Sequence, residues 1–364
     1  MVIVGGGAIG CAIAYYLSRA GVRATVLDRG RVGMGASNTA AGMLAPLSEA
    51  HGVGPMLDLG LSSLRMFPTL VQELQEATGI DLEYRVTGIL RVAFTDEEAQ
   101  ELRKRLEWQQ PLGLPLEWLD ETMLWEVEPR LSPRVVGGVF SEEEGQVSNQ
   151  NLTLAFARAA AARGAILRER TPVTSLIMSD GRATAVRTPQ GRVAAGCVVL
   201  AAGAWTGRLA RRLGLDVPVR PVRGQMLALG GMVTPIHTIV WGPRGYLVPR
   251  ANGLVFAGAT VEEVGFRPRT TVRGLREVRR AAIEMVPQLA QAQAQFTWAG
   301  LRPGSADELP ILGPLPGLEN VIVASGHYRS GILLSPITGH LIARAIIEGR
   351  VSEALAPFSP ARFC

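Results

Sequence analysis

A glycine-rich turn between two short strands, near the start of the chain, constrains the fold more than any other feature. Residues 2–4 are all apolar, as in a strand of a parallel sheet that is covered on both faces, and residues 5–10 match the pattern GxGxxG. A helix is predicted from this turn to about Ala20, and a second strand over residues 24–27 ends at Asp28. This order of strand, glycine turn, helix, strand and acidic residue is typical of dinucleotide-binding folds.

The glycines of the turn each have a physical reason. Gly5 is expected to make the turn, Gly7 to let the backbone approach a pyrophosphate, and Gly10 to allow close packing of the helix on the strand. Unpaired N–H groups at the helix N-terminus can bind phosphates, and the Asp28 carboxylate can accept hydrogen bonds from ribose hydroxyls. The pattern does not separate NAD from FAD. The small, glycine-rich residues 33–43 suit an extended ligand, although such a stretch taken alone is equally typical of a flexible surface loop.

Length and composition limit the class of protein. A chain of 364 residues favours two domains, and 47% hydrophobic against 19% charged residues argues against disorder. Three widely spaced cysteines without a CxxC pair argue against a disulfide framework or a structural zinc site, and they favour a reducing compartment. We therefore expect a cytoplasmic protein that binds no metal.

Neither the charge nor the apolar start of the chain indicates a nucleic-acid or membrane partner. The net charge is +5 and Lys104 is the only lysine among 37 basic residues, but the arginines are scattered rather than grouped in one stripe. Residues 1–18 are uncharged, yet no positive residues precede them as in a signal peptide, and their glycines weaken a membrane-spanning helix.

The next part of the chain predicts that the nucleotide-binding domain is discontinuous. Residues 51–131 look helical and charged, Asn151 is predicted to cap a helix that ends at Arg163, and a hairpin is predicted over residues 183–194. The apolar strand within residues 197–203 needs cover on both faces, so it belongs with the first sheet.

A second domain is predicted from a change of pattern after Val217. Short strands over residues 225–229, 245–249 and 254–258 alternate with glycine and proline turns, which favours an antiparallel sheet, and a helix over about 271–289 interrupts them. The first pattern returns towards the C-terminal end. The predicted boundaries are 1–48, 145–215 and 300–358 for the nucleotide-binding domain, and 49–144 and 216–299 for the second, substrate-binding domain.

Seven segments of the chain carry a resemblance to a known family. They are VIVGGGAIG with Asp28, SNTAAGMLAP, VVLAAGAW, RPVRGQM, GYLVPR, WAGLRPGSADELPILG and GHYRSGILLSPITG. Together they resemble the FAD-dependent amine oxidases of the D-amino acid oxidase and sarcosine oxidase superfamily, above all its glycine oxidases, which serve thiamine synthesis. The resemblance extends from Val2 to about Arg350. It implies an α/β fold, with a discontinuous Rossmann-like FAD-binding domain and an α+β substrate domain whose sheet is largely antiparallel.

The resemblance implies that FAD is bound non-covalently, because no cysteine lies within the segments that would contact the flavin ring. Reduced flavin carries negative charge near N1, so the N-terminus of the last helix is expected to point at that edge. The implied contacts are Gly5, Gly7, Ala8, Ile9 and Gly10 at the pyrophosphate, Asp28 and Arg29 near the ribose, Ala36 and Ser37 along the cofactor, Ala41, Gly42 and Met43 at the ring, Val173 beside the adenine, Gly203 after its strand, and His327, Tyr328, Arg329, Ser330, Gly331, Ile332 and Leu333 around the isoalloxazine.

The resemblance also implies a carboxylate site made by Tyr246, Arg302 and Arg329. A planar guanidinium can bind a carboxylate with two parallel hydrogen bonds, and Arg302 is the expected anchor because its small, apolar neighbours are a poor setting for a solvated charge. Tyr246 is expected to donate to the same carboxylate, and Arg329 to be a supporting charge beside the flavin. The remaining expected substrate contacts are Met43, Arg244 at the pocket entrance and Val261 in the pocket lining.

The implied activity is oxidation of glycine, sarcosine, D-proline or D-alanine to a 2-oxo acid, ammonia or an amine, and hydrogen peroxide. It proceeds by hydride transfer to flavin N5, with oxygen as the final acceptor and no dedicated side-chain base. A homotetramer is implied as well. Two alternatives stay open, a D-amino acid dehydrogenase that passes electrons to a quinone and a non-catalytic protein that keeps FAD as a structural element. Residues 146–149 (Gln-Val-Ser-Asn) depart from the family pattern, and the resemblance gives them no role.

Overall fold

Two large sheets carry the fold, one mostly parallel around the N-terminal strand and one mostly antiparallel. The computed structural model describes residues 1–113, 115–231 and 235–364. In chain order the strands are β1 (Val2–Val4), β2 (Thr25–Leu27), β3 (Met43–Leu44), β4 (Ile89–Ala93), β5 (Leu116–Leu119), β6 (Gly137–Ser141), β7 (Gly145–Gln146), β8 (Ile166–Arg168), β9 (Ser175–Ser179), β10 (Arg182–Thr188), β11 (Gly191–Ala194), β12 (Val198–Leu200), β13 (Val219–Gly230), β14 (Ile239–Gly242), β15 (Gly245–Pro249), β16 (Val255–Gly258), β17 (Gln293–Ser305), β18 (Ile311–Leu315) and β19 (Leu318–Ser325). The α-helices are α1 (Ala8–Arg19), α2 (Ala36–Thr39), α3 (Pro46–Glu49), α4 (Pro55–Thr78), α5 (Asp96–Gln109), α6 (Glu121–Val127), α7 (Asn149–Ala162), α8 (Thr206–Arg212), α9 (Val272–Met285) and α10 (Ser335–Glu348). Short 3-10 helices are found at Gln110–Leu112, Gly203–Trp205, Pro287–Ala290, Glu353–Phe358 and Pro360–Phe363.

The first sheet has six strands in the order β18-β19-β12-β1-β2-β8. β1 lies between β2 and β12 and is parallel to both, whereas β18 is antiparallel to β19. Ile3 packs into a core that includes α1, α7 and α10, while Val2 and Val4 face a second core on the side of the small β11-β10-β9 sheet. Both faces of the sheet are covered, which explains why β1 and β12 are apolar at every position.

The first helix lies unusually close to the glycine turn. A Cβ atom at Gly10 would lie 1.9 Å from the carbonyl oxygen of Gly5, so a larger residue does not fit between the helix and the turn. Gly10 therefore acts in packing α1 against the end of β1, which is the role the sequence pattern assigns to the last glycine of GxGxxG.

The second sheet has eight strands in the order β17-β13-β16-β15-β14-β4-β6-β5, and only β14 and β4 are parallel neighbours among them. The long strands β13 and β17 pair from Val219 opposite Ser305 to Gly230 opposite Gln293. Helix α9 covers part of one face and contributes Val278 to the core there. The prediction of an α/β fold with a second, largely antiparallel sheet is confirmed.

Two local predictions need correction. Residues 51–131 are not only helical, because β4 and β5 lie within them and join the second sheet; each run is too short to stand out from the charged helices around it. The cap of α7 is Ser148 rather than Asn151, since the Ser148 hydroxyl accepts from the Asn151 N–H. The side chain of Asn151 instead donates to the Asp81 carbonyl oxygen, at 2.7 Å.

The longest described helix, α4, is amphipathic and packs along the first sheet's core. It buries Phe67 and Leu74 fully and leaves charged residues on the opposite face. Within residues 1–113, 115–231 and 235–364, no helix combines the length and the apolar character that a membrane crossing requires.

Candidate active site

A cavity of about 570 Å³ lies between the C-terminal ends of β1, β2 and β12 and the second sheet. Its walls come from the glycine turn after β1, from residues 27–49, from the loop after β12 and from residues 325–333. Residues of β13, β15 and β17 close the other side. The carboxyl ends of parallel strands are where ligands bind in open α/β sheets, so the place of this cavity is the expected one.

One end of the cavity is built largely from backbone groups. Helix α1 begins there behind Gly7, which offers no capping side chain, and the Ala8 N–H donates to the Ser37 hydroxyl at 2.9 Å. The Asp28 carboxylate accepts from the N–H groups of Gly6, at 2.8 Å, and Gly30, at 2.7 Å, which fixes its position. We call this the nucleotide end.

The nucleotide end suits an anionic ligand with hydroxyl groups. The N-terminus of α1 has no capping side chain at Gly7 and attracts phosphates, and the carboxylate of Asp28 is held at the cavity wall. The guanidinium of Arg29 lies 3.8 Å from the ring centre of Trp205, and burial lowers the pKa of Arg29. Three arginines and one tryptophan that sequence reasoning did not select also line the cavity, and among these only Trp205 lies in one of the segments that carry the family resemblance. They are Arg31, Trp205, Arg208 and Arg212.

Most of the residues proposed for the cofactor lie in the cavity wall, and Gly10 is the exception because it packs behind the turn. The lining includes backbone-rich segments on both sides, as a flat, extended ligand would require. The lining positions are Gly5, Gly7, Ala8, Ile9, Asp28, Arg29, Ala36, Ser37, Ala41, Gly42, Met43, Val173, Gly203, His327, Tyr328, Arg329, Ser330, Gly331, Ile332 and Leu333.

The loop before α10 is held in an unusual conformation along this wall. Tyr328 has φ +47°, and its N–H donates to the Pro303 carbonyl oxygen at 2.9 Å. His327 is buried with Nε2 3.1 Å from the Thr338 hydroxyl, and burial lowers the pKa of His327 to about 3. The imidazole is therefore neutral and serves as a structural group that ties the loop to α10.

The other end of the cavity is built from side chains, and we call it the substrate end. Tyr246, Arg302 and Arg329, which are far apart in the sequence, all line it. One Nη of Arg302 donates to the Thr260 carbonyl oxygen at 3.0 Å. A Cβ atom at Gly224, on the neighbouring strand β13, would lie 2.4 Å from the Arg302 guanidinium. Glycine at that position therefore leaves the room that the guanidinium occupies.

Tyr246 is buried beside the arginines. Its ring centre lies 5.5 Å from that of Trp241, and only 7% of the residue is exposed. Burial raises the pKa of the Tyr246 phenol, although the charges of Arg302 and Arg329 oppose the shift. The hydroxyl stays protonated near neutral pH and can donate a hydrogen bond to an anion.

Sequence reasoning missed an acidic residue at the substrate end. Glu49, the last residue of α3, lines the cavity and binds the Arg329 Nε through both carboxylate oxygens, at 3.0 and 3.1 Å. Burial alone would lower the pKa of Arg329, but Glu49 and Tyr246 raise it overall. A lone glutamate shows no pattern, and the nearest signal was its place just after the segment SNTAAGMLAP.

Two proposed substrate contacts lie elsewhere. Arg244 and Val261 line a separate depression beside α9, where Arg244 forms an ion pair with Glu284 and Val261 is 56% exposed. Arg244 precedes β15 and lies in the turn outside the sheet, whereas Tyr246 on the strand itself faces the cavity. The structure thus brings Met43, Tyr246, Arg302 and Arg329 to one cavity, and leaves Arg244 and Val261 outside it.

A nucleotide end and a cationic end meet in one cavity, so the fold and the site fit the class of proteins that bind a dinucleotide beside a small anion. The chain belongs to the family of FAD dependent oxidoreductases known as DAO, whose model matches residues 1–345. The glycine oxidase of Geobacillus kaustophilus is 39% identical over 362 residues, which cover 99% of this chain and 96% of the relative. The crystal structure of glycine oxidase from Geobacillus kaustophilus superimposes with a TM-score of 0.95 at 38% identity, and covers 99% of this chain and 98% of that one.

A second kind of relative is longer than this chain. The bifunctional protein ThiO/ThiG of Synechocystis sp. is 38% identical over 370 residues, which are 100% of this chain but only 54% of the relative. The comparisons confirm the family, the fold class and FAD as the cofactor. The chain is an FAD-dependent, glycine oxidase-like oxidoreductase.

Proposed function

We propose that this protein oxidises glycine and other small amines or D-amino acids, such as sarcosine, D-proline and D-alanine, with oxygen as the acceptor. The products are the 2-oxo acid, ammonia or an amine, and hydrogen peroxide. The observation that carries the proposal is the meeting of Arg302 and Tyr246 at the substrate end, beside the wall that the flavin ring is expected to face.

Arg302 is suited to hold the substrate carboxylate. One Nη is fixed by the Thr260 carbonyl oxygen, and a guanidinium has further N–H groups that can donate to an anion. A charge-assisted hydrogen bond contributes roughly 1.5–3 kcal/mol, which is enough to orient a small molecule. Tyr246 adds a neutral donor to the same carboxylate.

The charge of the substrate end favours one carboxylate. Arg302 and Arg329 bring positive charges, and Glu49 compensates that of Arg329. One positive charge is left, which matches the carboxylate of an amino acid. A second carboxylate on the substrate would have to compete with Glu49 for Arg329.

The chain's residues bind and orient rather than exchange protons. His327, the histidine nearest to these groups in the cavity wall, is neutral and bound to Thr338. FAD, when bound along the wall from Gly7 to Leu333, supplies the acceptor for the C–H bond next to the amine. The part of Arg302 and Tyr246 is then to hold that bond in place and to exclude water from it.

The test is anaerobic mixing of the purified protein with glycine, sarcosine, D-proline and D-alanine in turn, followed by air and a peroxide assay. We expect the visible flavin absorbance to bleach and then to recover with formation of peroxide. Bleaching without recovery in air would favour the dehydrogenase that uses a quinone. No bleaching by any of the four compounds would contradict the proposed substrate class.

We also infer a role in thiamine biosynthesis, which the likeness to the ThiO/ThiG protein supports. The check is growth without thiamine of a strain that lacks its own glycine oxidase, with and without this chain. The homotetramer remains a prediction, and light scattering of the purified holoprotein measures it directly.

A further inference from the structure

The segment of residues 144–149 forms the back of the cavity wall. It runs antiparallel to residues 37–48, and five of its six residues contact that stretch. The contacts join Glu144 to Ser48 and Leu47, Gly145 to Leu44, Gln146 to Met43, Val147 to Gly42 and Asn149 to Ser37.

Glu144 makes three of these hydrogen bonds, although it does not line the cavity. It is fully buried, and one carboxylate oxygen accepts from the N–H groups of Leu47, at 2.7 Å, and Ser48, at 3.1 Å. The other oxygen accepts from the Ser48 hydroxyl at 2.6 Å. These three bonds hold the first turn of α3, whose last residue is Glu49.

Carbonyl groups of the same short helix and of its C-cap, Ala50, also accept hydrogen bonds from side chains. The Leu47 carbonyl oxygen accepts from Gln109 Nε2 at 2.8 Å, and the Ala50 carbonyl oxygen accepts from Arg105 Nη2 at 2.6 Å. The buried Arg91 donates to the Ser48 carbonyl oxygen. A four-residue helix has little stability of its own, so these buried groups decide where its end lies.

We propose that Glu144 is a positioning residue for the substrate end: by fixing α3 it holds Glu49 against Arg329 and so limits the site to substrates with one carboxylate. The inference rests on the proposed function. Without the three bonds of Glu144, α3 loses its fixed position and Glu49 no longer compensates Arg329. Arg329 then becomes available to a second carboxylate on the ligand.

The test compares two small carboxylates, acetate and malonate, by the change that their binding causes in the visible spectrum of the bound flavin. We expect Glu144→Ala to raise the affinity for malonate relative to acetate by about tenfold, the size of one charge-assisted hydrogen bond. Glu49→Gln is expected to give the same shift, and Glu144→Ala is expected to add nothing further when Glu49 is already Gln. Glu144→Gln keeps the shape and an acceptor oxygen, so it is expected to restore the wild-type ratio.

Glu128 offers a matched control. It is also fully buried and accepts from backbone N–H groups, those of His237 at 2.6 Å and Thr238 at 3.4 Å, but it lies away from the cavity wall. Glu128→Ala is expected to lower stability without changing the ratio of the two affinities. If Glu144→Ala does not fold, Gln109→Ala removes another support of α3 and is expected to shift the ratio in the same direction, by less.

Three outcomes separate the two proposals. An unchanged ratio in folded Glu144→Ala, or in Gln109→Ala where Glu144→Ala does not fold, would overturn the role of Glu144 alone, as would an equal shift in Glu128→Ala. Failure of both carboxylates to perturb the wild-type flavin would overturn the proposed carboxylate site, and this inference with it. A shift confined to variants that act on α3 and Glu49 would establish the role of Glu144.

Discussion

The two ends of the cavity are built in different ways. At the nucleotide end, a continuous stretch of small residues offers backbone N–H groups and a helix N-terminus. Asp28 is held there by the backbone N–H groups of Gly6 and Gly30. At the substrate end, Glu49, Tyr246, Arg302 and Arg329 come from four separate parts of the chain. A site made from backbone is specified locally, whereas a site made from side chains depends on how distant segments pack.

The difference implies that FAD binding at the nucleotide end and substrate binding at the substrate end can be lost independently. The largest effect is expected at Gly7. A Cβ atom there meets only the Ser37 hydroxyl within 4 Å, so a larger side chain projects into the cavity without disturbing the core. We expect the FAD content per polypeptide of Gly7→Val to be less than about a tenth of the wild-type content. The measurement is flavin absorbance per polypeptide after purification.

Gly52→Ala is the control for this change, because a Cβ at Gly52 meets nothing within 4 Å and the residue does not line the cavity. It should keep full FAD. A yellow, fully loaded Gly7→Val protein would show that the pyrophosphate does not lie at the glycine turn.

The complementary change at the substrate end is Arg302→Ala. We expect kcat/KM for glycine to fall by about 100-fold or more, because the charge-assisted bonds to the carboxylate are lost, while the FAD content stays unchanged. Arg302→Lys keeps the charge but not the planar pair of donors, so an intermediate value is expected. Loss of FAD from these variants would contradict the independence of the two ends.

A smaller effect is expected at the nucleotide end from Trp205. Its ring lies 3.8 Å from the Arg29 guanidinium at the cavity wall. Trp205→Ala is expected to weaken FAD binding by about tenfold, since a cation–π contact and part of the wall are lost. Titration of the apoprotein with FAD, followed by flavin fluorescence, measures this. The KM for glycine of the fully loaded variant should not change.

The smallest effect concerns pH. Burial lowers the pKa of His327 to about 3 from an ordinary value of 6.5, so the unfolded chain binds more protons than the folded one between these values. The free energy of unfolding should therefore fall as the pH decreases through this range. In His327→Asn that dependence should be weaker. Denaturant unfolding at a series of pH values measures how the free energy of unfolding depends on pH in both proteins. An equal dependence in the wild type and in His327→Asn would contradict a buried, neutral imidazole.

The sequence alone could place the residues of the nucleotide end together, because its strand, glycines and Asp28 follow one another within a short stretch. Arg302 could be expected as well, since an arginine between small, apolar neighbours needs a partner. Glu49 could not, because a lone glutamate after an apolar run has no pattern. Arg244 is near Tyr246 in the chain and Val261 follows β16 closely, but both lie outside the strands and line the separate depression beside α9.

The strands β4 and β5 and the contacts of Glu144 were missed for a related reason. β4 and β5 are short runs among charged helices, and they gain their stability from pairing with β6 and, for β4, with β14. Residues 144–149 acquire their role only through their pairing with residues 37–48, about a hundred residues earlier. Such long-range pairings carry no signal within either segment alone.

The role of Arg302 as the carboxylate anchor is tested most directly by comparing glycine with glycinamide, which lacks the carboxylate. The measurement is kcat/KM for both compounds in the wild-type holoprotein and in Arg302→Ala. We expect the wild type to prefer glycine strongly and the variant to lose that preference while keeping its activity on glycinamide. An unchanged preference for glycine in Arg302→Ala would contradict a carboxylate site built on Arg302.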